Sequence, residues 1–176
     1  TSQWLVGQTE AQLDKIKLLY VGRVRKEKGV YSLLDIIKDS KINLSLSIVG
    51  AEKNSFNQIV QNNVHVYGIE SNEQNLIKFY DDSNVFVLPS YTEGHPMVLL
   101  EALSRFRPVI IFKDIRHVIG NKKGIFIADR NSINFFETIY HIIENYKNIQ
   151  QEMRKNKLPT KDEFLKKFSE IISKPN

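Results

Sequence analysis

Six short apolar-rich runs stand out along the chain: Ile16–Val21, Leu44–Val49, Val64–Tyr67, the run from Val85 that stops before Pro89, Val109–Phe112 and Ile125–Ala128. Their brevity and their bounding glycines and prolines read as strands rather than helices. The run at Val85 shows no alternation, which suits a strand buried on both faces, and Pro89 ends it because it has no N–H to give a ladder. Between the runs the apolar residues recur at helical spacing. Leu33, Leu34, Ile36 and Ile37 mark a helix over 31–37, Leu76 to Tyr80 lies in another, and a third runs from Pro96 to about Arg105. Phe135, Phe136, Ile139, Ile142 and Ile143 make an amphipathic helix. A short helix is expected over 56–60. Phe164, Leu165, Phe168, Ile171 and Ile172 make a last one, set apart by Pro159.

Strands alternating with helices imply an α/β fold: a doubly wound, Rossmann-like sheet of six parallel strands with helices on both faces. Right-handed crossovers leave strand ends and helix starts on one edge, where open sheets bind ligands. Polar residues 1–15 read as a linker or edge segment, and residues 16–176 as the domain.

Composition narrows the class. A chain of 176 residues with 41% hydrophobic and 10% aromatic residues is one domain of ordinary size and not a disordered one. No apolar run approaches the ~20 residues of a membrane span, and the start shows no signal-peptide pattern. The absence of cysteine removes disulfides and thiolate chemistry and is compatible with the cytoplasm. His65, His95, His117 and His141 lack ligand spacing, so no metal site is expected, and His117 and His141 read as ordinary surface or core residues. The basic excess is concentrated at the end: residues 147–176 hold eight Lys/Arg against four Asp/Glu. Lys155, Lys157, Lys161, Lys166, Lys167 and Lys174 would suit an anionic membrane. They alternate with acids and lack stacking aromatics, which favours a solvated helix face and argues against nucleic acid.

Two stretches carry candidate chemistry. In Glu93-Gly94-His95-Pro96, Gly94 is expected to make a turn no other residue makes cheaply, and Pro96 to take the first helical position. Glu93 then sits at the carboxyl edge, placed to touch a small molecule. Glu101 lies inside Met97-Val98-Leu99-Leu100-Glu101-Ala102-Leu103, where an unpaired charge is costly, so it needs a cation, a ligand or a cleft. The plainer alternatives are a solvated loop residue and a narrow polar stripe. The other stretch, Gly22-Arg23-Val24-Arg25-Lys26-Glu27-Lys28-Gly29, fits neither a dinucleotide nor a phosphate-loop fingerprint. It offers cations instead. Arg23 can grip a phosphate in bidentate fashion and Lys28 can add a point charge, a pair suited to a diphosphate, unless the loop is merely a solvated basic turn.

Taken together, Gly22-Arg23-Val24 with Lys28-Gly29, followed by Glu93-Gly94-His95-Pro96 and Glu101, resemble the C-terminal, nucleotide-sugar-binding half of retaining GT-B glycosyltransferases of the group 1 type. The resemblance covers nearly all of the chain. It implies that Arg23 and Lys28 clasp the donor's diphosphate and that Glu93 and Glu101 form the family's E-x7-E motif, the first near the transferred sugar and the second on the ribose hydroxyls. Backbone amides over His95, Pro96, Met97 and Val98 would meet sugar and phosphate, and Tyr67, Gly68 and Ile69 would lie near the base. The implied function is transfer from a nucleoside-diphosphate sugar to a saccharide or lipid-linked acceptor, retaining configuration and without a metal, in bacterial polysaccharide or glycolipid synthesis in the cytoplasm or at the inner membrane face. The acceptor domain, N-terminal in the family, is missing here, so the chain alone is expected to be inactive. The rival reading is a non-catalytic binding or docking module. Two local departures stand out: Phe106 replaces a helix-stopping glycine two residues before Pro108, and Lys113-Asp114-Ile115-Arg116-His117 replaces a Gly-Gly pair.

Overall fold

The computed structural model describes residues 2–8, 11, 13–38, 40, 42–52 and 61–158. The expected helices over 56–60 and 164–172, Pro159 and the lysines at 161, 166, 167 and 174 lie outside the described residues. Six strands, β1 (Ile16–Val21), β2 (Leu44–Val49), β3 (Val64–Tyr67), β4 (Val85–Leu88), β5 (Val109–Phe112) and β6 (Ile125–Ala128), fall on the runs expected. They form one sheet in the order β3-β2-β1-β4-β5-β6, every neighbouring pair parallel. The order reverses between β1 and β4, so the loops that follow these two strands flank a crevice at the carboxyl edge.

Both faces of the sheet are covered, which is why the central strands are continuously apolar. Val85 and Val87 point to one side with Leu18, Leu46 and Ile110, beneath α1 (Val30–Ile37) and α4 (Ser132–Glu144). Phe86 and Leu88 point to the other with Leu19, Val109 and Ile111, beneath α2 (Glu73–Asp81) and α3 (Met97–Ser104). All four residues of β4 are buried.

The structure departs from the expectations in two places and gives form to the two stretches that differ from the family's pattern. Pro96 is the N-cap of α3, with ψ 106°, rather than its first helical residue, so His95 stands outside the helix. Helix α5 (Tyr146–Met153) was not expected: its apolar stripe is only three residues, the buried Tyr146 and Met153 and the partly buried Ile149, among polar neighbours. Lys113–Val118 forms two short 3-10 turns that meet at a kink at Ile115, whose side chain is the buried one of the stretch. Phe106 stops α3 in the left-handed conformation, φ 54°, which glycine adopts without strain and phenylalanine does not.

Two arginines in that helix stop are almost fully enclosed, Arg105 at 1% exposure and Arg107 at 0%. Arg105 forks onto Asp81 at 2.9 and 2.7 Å and also donates to the carbonyls of Trp4, Val6 and Gly7. Arg107 donates to the carbonyls of Tyr80, Arg105 and Asp81. Buried guanidinium groups survive because nearly every N–H meets an oxygen. The consequence is that residues 2–8 are strapped to α2 and α3, with Trp4 edge-on to Tyr80 at 5.5 Å.

Candidate functional site

The site is built where the β1 and β4 loops press together. After β1 the chain makes a 3-10 turn over Lys26–Lys28 and enters α1 through Gly29, whose φ is 67°. A Cβ on Gly29 would lie 1.9 Å from the Pro89 carbonyl oxygen, so glycine is what permits the approach. The N–H of Tyr91 donates to the Glu27 carbonyl at 3.0 Å and closes the junction.

That junction sets three side chains on one another. Lys28 Nζ lies 2.8 Å from Glu93 Oε1, and Ser90 Oγ donates to the same oxygen at 2.7 Å. Ser90 is fully buried and Glu93 largely so. Glu93 Oε2 accepts no hydrogen bond from the described residues. The His117 Nε2–H donates to the Glu93 carbonyl at 2.7 Å, so this histidine belongs to the site loop and is not the ordinary surface residue expected. Beneath them the Tyr20 hydroxyl donates to the Arg23 carbonyl at 2.8 Å. Burial, then the negative charges of Glu93 and Glu27, push this phenol far up, so it stays a fixed donor.

The cations differ in commitment. Lys28 neutralises Glu93, whereas the exposed Arg23 guanidinium has no hydrogen bond or ion pair among the described residues. Beside them Val24, Arg25, Lys26, Glu27 and Tyr31 line an open groove. No side chain caps the first turn of α3, leaving the amides that follow Pro96 without that partner. Gly94 is not a conformational necessity: its φ is not positive, and a Cβ there would meet nothing within 4 Å. The expectation of a turn only glycine makes therefore fails, and the reason for a glycine is not found in the fold.

Glu101 has found a partner, and it is not a cation. The Tyr80 hydroxyl donates to its Oε2 at 2.8 Å, from a side chain that is itself fully buried. Burial pushes the Glu101 carboxyl above its ordinary value, while this hydrogen bond opposes the rise. Gly22 leads β1 into the loop, donating to the Val49 carbonyl. His95 and Met97 are exposed and Val98 is half-buried. Tyr67 and Ile69 are exposed at the end of β3, on the far side of β2 from β1, and no hydrogen bond or ring contact among the described residues links them to Lys28 or Glu93. Among the described residues Glu93 and Glu101 share no hydrogen-bond partner. Sequence reasoning missed Tyr20, Ser90 and Arg130; Arg130, directly after β6, lies on the same carboxyl edge, which is the signal that marks it. Among the described residues no group of three His, Asp or Glu is placed to hold a metal ion.

Known proteins share this sequence and fold. Residues 5–158 match the family model described as glycosyl transferases group 1. An uncharacterized glycosyltransferase of Methanocaldococcus jannaschii is 32% identical over 160 residues, 86% of this chain and 43% of that protein. The capsular polysaccharide biosynthesis glycosyltransferase CapM of Staphylococcus aureus is 31% identical over 143 residues, 74% of this chain and 36% of its own. Sucrose-phosphate synthase from Thermosynechococcus elongatus shares the fold with TM-score 0.73 at 19% identity, over 92% of this chain and 45% of that one. HepE of Anabaena, solved in complex with UDP-glucose, does so with TM-score 0.64 at 15% identity, over 80% and 42%. The chain spans less than half the length of the curated relatives it matches. A match running from residue 5 to residue 158, over a parallel sheet that these enzymes share, leads to one conclusion: the chain belongs to the glycosyl transferases group 1 family.

Proposed function

We propose that this chain is the nucleotide-sugar donor domain of a retaining glycosyltransferase, the C-terminal half of an enzyme whose acceptor domain lies outside these residues. The observation that carries the reading is the meeting of Lys28, Ser90 and Glu93 at the sheet's reversal point, beside an uncommitted Arg23. In the transfer, the bond between the sugar's anomeric carbon and the phosphate oxygen breaks, the diphosphate leaves with the electron pair, and the acceptor's hydroxyl oxygen bonds to that carbon as its proton passes to the released diphosphate. Arg23 and Lys28 stabilise the charge that develops on it, and the amides of Met97 and Val98 at the start of α3 add to them. These cations take the part that a metal ion plays in other phosphate chemistry.

Glu93 positions the sugar through its free Oε2. An incoming diphosphate draws on Lys28, which then bridges donor and Glu93. The open space over Gly94 lets the ligand come down on the backbone between Glu93 and His95. Gly22 and Arg23 line the phosphate side, Glu101 takes the ribose hydroxyls, and Tyr67 and Ile69 flank the base. The name of CapM and the UDP-glucose complex of HepE support a nucleotide-sugar donor and a product of the polysaccharide or glycolipid kind. We place the reaction in the cytoplasm, at the inner face of the membrane where the acceptor is lipid-linked; exposed Lys155 and Lys157 suit that surface.

Calorimetry with UDP and UMP, and with GDP and GMP, tests the reading. The diphosphate of the right base binds more tightly than its monophosphate, and Arg23→Ala removes most of the difference. Equal affinities in the wild type would sink the phosphate assignment. No binding of any nucleotide would favour the docking module instead.

A further inference from the structure

Arg130 is the side chain on which the carboxyl edge converges. Its Nη1 donates to the Pro89 carbonyl at 2.9 Å and lies 3.4 Å from Ser32 Oγ in α1. Its Nη2 pairs with Asp114 Oδ2 at 2.7 Å and lies 3.4 Å from the Ser90 carbonyl. It also rests against two aromatic rings, with Cζ 3.9 Å from the centre of the Tyr91 ring and 4.3 Å from that of Phe112. One guanidinium thus joins the connections after β4, β5 and β6 to the first helix. A planar fork can lie against aromatic rings and still donate along its edges to several oxygens at once, a geometry that the point charge of an ammonium group does not reproduce.

The carbonyls it touches are those on either side of the Ser90 α-carbon, and Ser90 in turn holds Glu93 Oε1. Glu93 has little else to fix it: Lys28 on the same oxygen and His117 on its carbonyl. We propose that Arg130 is the positioning residue for Glu93, acting through Ser90, with Asp114 and the Tyr91 ring setting the guanidinium. This assigns a task to Asp114 and His117 in the stretch that departs from the pattern at residues 113–117. It rests on the reading of Glu93 as the residue that meets the donor sugar.

The test uses Arg130→Lys, which keeps the charge and loses the fork, Asp114→Asn, and Glu93→Gln. Calorimetry compares UDP with UDP-glucose, and GDP with GDP-mannose. We expect the sugar's contribution to affinity to fall about tenfold in Arg130→Lys, the size of one weakened hydrogen bond to a charged group. The affinity for the diphosphate alone holds. Arg130→Lys combined with Glu93→Gln loses no more than Glu93→Gln, because both act on one contact. Asp114→Asn follows Arg130→Lys in direction. Without any ligand, amide exchange at Tyr91 speeds up in Arg130→Lys while the β1 amides keep their protection. A general structural effect would instead weaken both ligands alike and add to Glu93→Gln, and that result overturns the proposal. Unchanged exchange at Tyr91 overturns it too, as does an undiminished sugar contribution. A wild-type chain that binds the diphosphate and the sugar nucleotide equally would refute the reading of Glu93 instead, and exchange at Tyr91 would still judge Arg130's hold on the loop.

Discussion

Phe106 and Glu101 each sit in a conformation or environment that works against them, and each gives a measurable consequence. At φ 54° the Phe106 Cβ crowds its own carbonyl, a strain of about 1–2 kcal/mol for any residue other than glycine. Its ring is retained by Arg154, 4.7 Å from the ring centre. Phe106→Gly and Phe106→Ala both lose the ring, but only the alanine keeps the strain. The glycine variant is therefore expected to be the more stable of the two by about 1 kcal/mol in denaturant melts. An alanine variant of equal or greater stability would refute the strain. For Glu101 the folded carboxyl holds its proton to higher pH than the ordinary 4.5, because burial disfavours the charge. Its contribution to stability is complete below that value and is lost as pH rises through the raised pKa. Glu101→Gln should therefore gain on the wild type as pH climbs from 4.5 toward neutrality, and a difference flat across that range would show the carboxylate to be solvated. The same variant should lose more affinity for a ribonucleotide than for its 2′-deoxy analogue if the ribose assignment holds. The sequence made the oddity of Glu101 visible, since a charge among apolar neighbours demands a partner. It hid the identity of that partner, because Tyr80 lies 21 positions away and its hydroxyl is invisible in a hydrophobic pattern.

The strands were legible because a sheet covered on both faces leaves no position for a polar residue, and β4 and β5 are apolar at every position. Helix α5 was not, since its stripe is only Tyr146, Ile149 and Met153, set among five polar residues and too short to stand out. Nor was the packing of residues 2–8, which depends on Arg105 rather than on local pattern. That strap predicts its own failure. Arg105→Leu leaves the carbonyls of Trp4, Val6 and Gly7 without their donor and Asp81 with Arg107 alone at 3.8 Å, a loss of up to about 3 kcal/mol. Thermal melting would show the loss, and limited proteolysis would show whether residues 2–8 come free. Native melting with native protection would mean that Trp4 on Tyr80 holds the segment unaided. At the β1 to α1 junction, Gly29→Ala drives a methyl into the Pro89 carbonyl at 1.9 Å. It is expected to destabilise the fold by several kcal/mol, well beyond the ~1 kcal/mol of an ordinary glycine-to-alanine change.

At the scale of the molecule, the edge where Lys28, Ser90, Glu93 and Arg130 gather is the part that topology alone made predictable, since parallel crossovers bring every strand end to one side. Which side chains would touch there was not predictable, because the contacts join loops 40 to 65 positions apart. If the donor reading is right, this chain transfers nothing by itself. A panel of sugar nucleotides with oligosaccharide and lipid acceptors should give no acceptor-dependent product. Turnover that requires acceptor and vanishes in Glu93→Ala would overturn the half-enzyme reading. The Arg105 strap also bears on how the protein is made. It joins Trp4 to a guanidinium 101 positions later. At a translation rate of about 5–20 residues per second, the ribosome needs on the order of 5–20 s to deliver the second partner after the first. Until Tyr80 and then Arg105 emerge, the indole of Trp4 lacks the ring and its segment the guanidinium that hold them in the fold, and the nascent chain presents that indole to whatever binding factors wait at the exit tunnel.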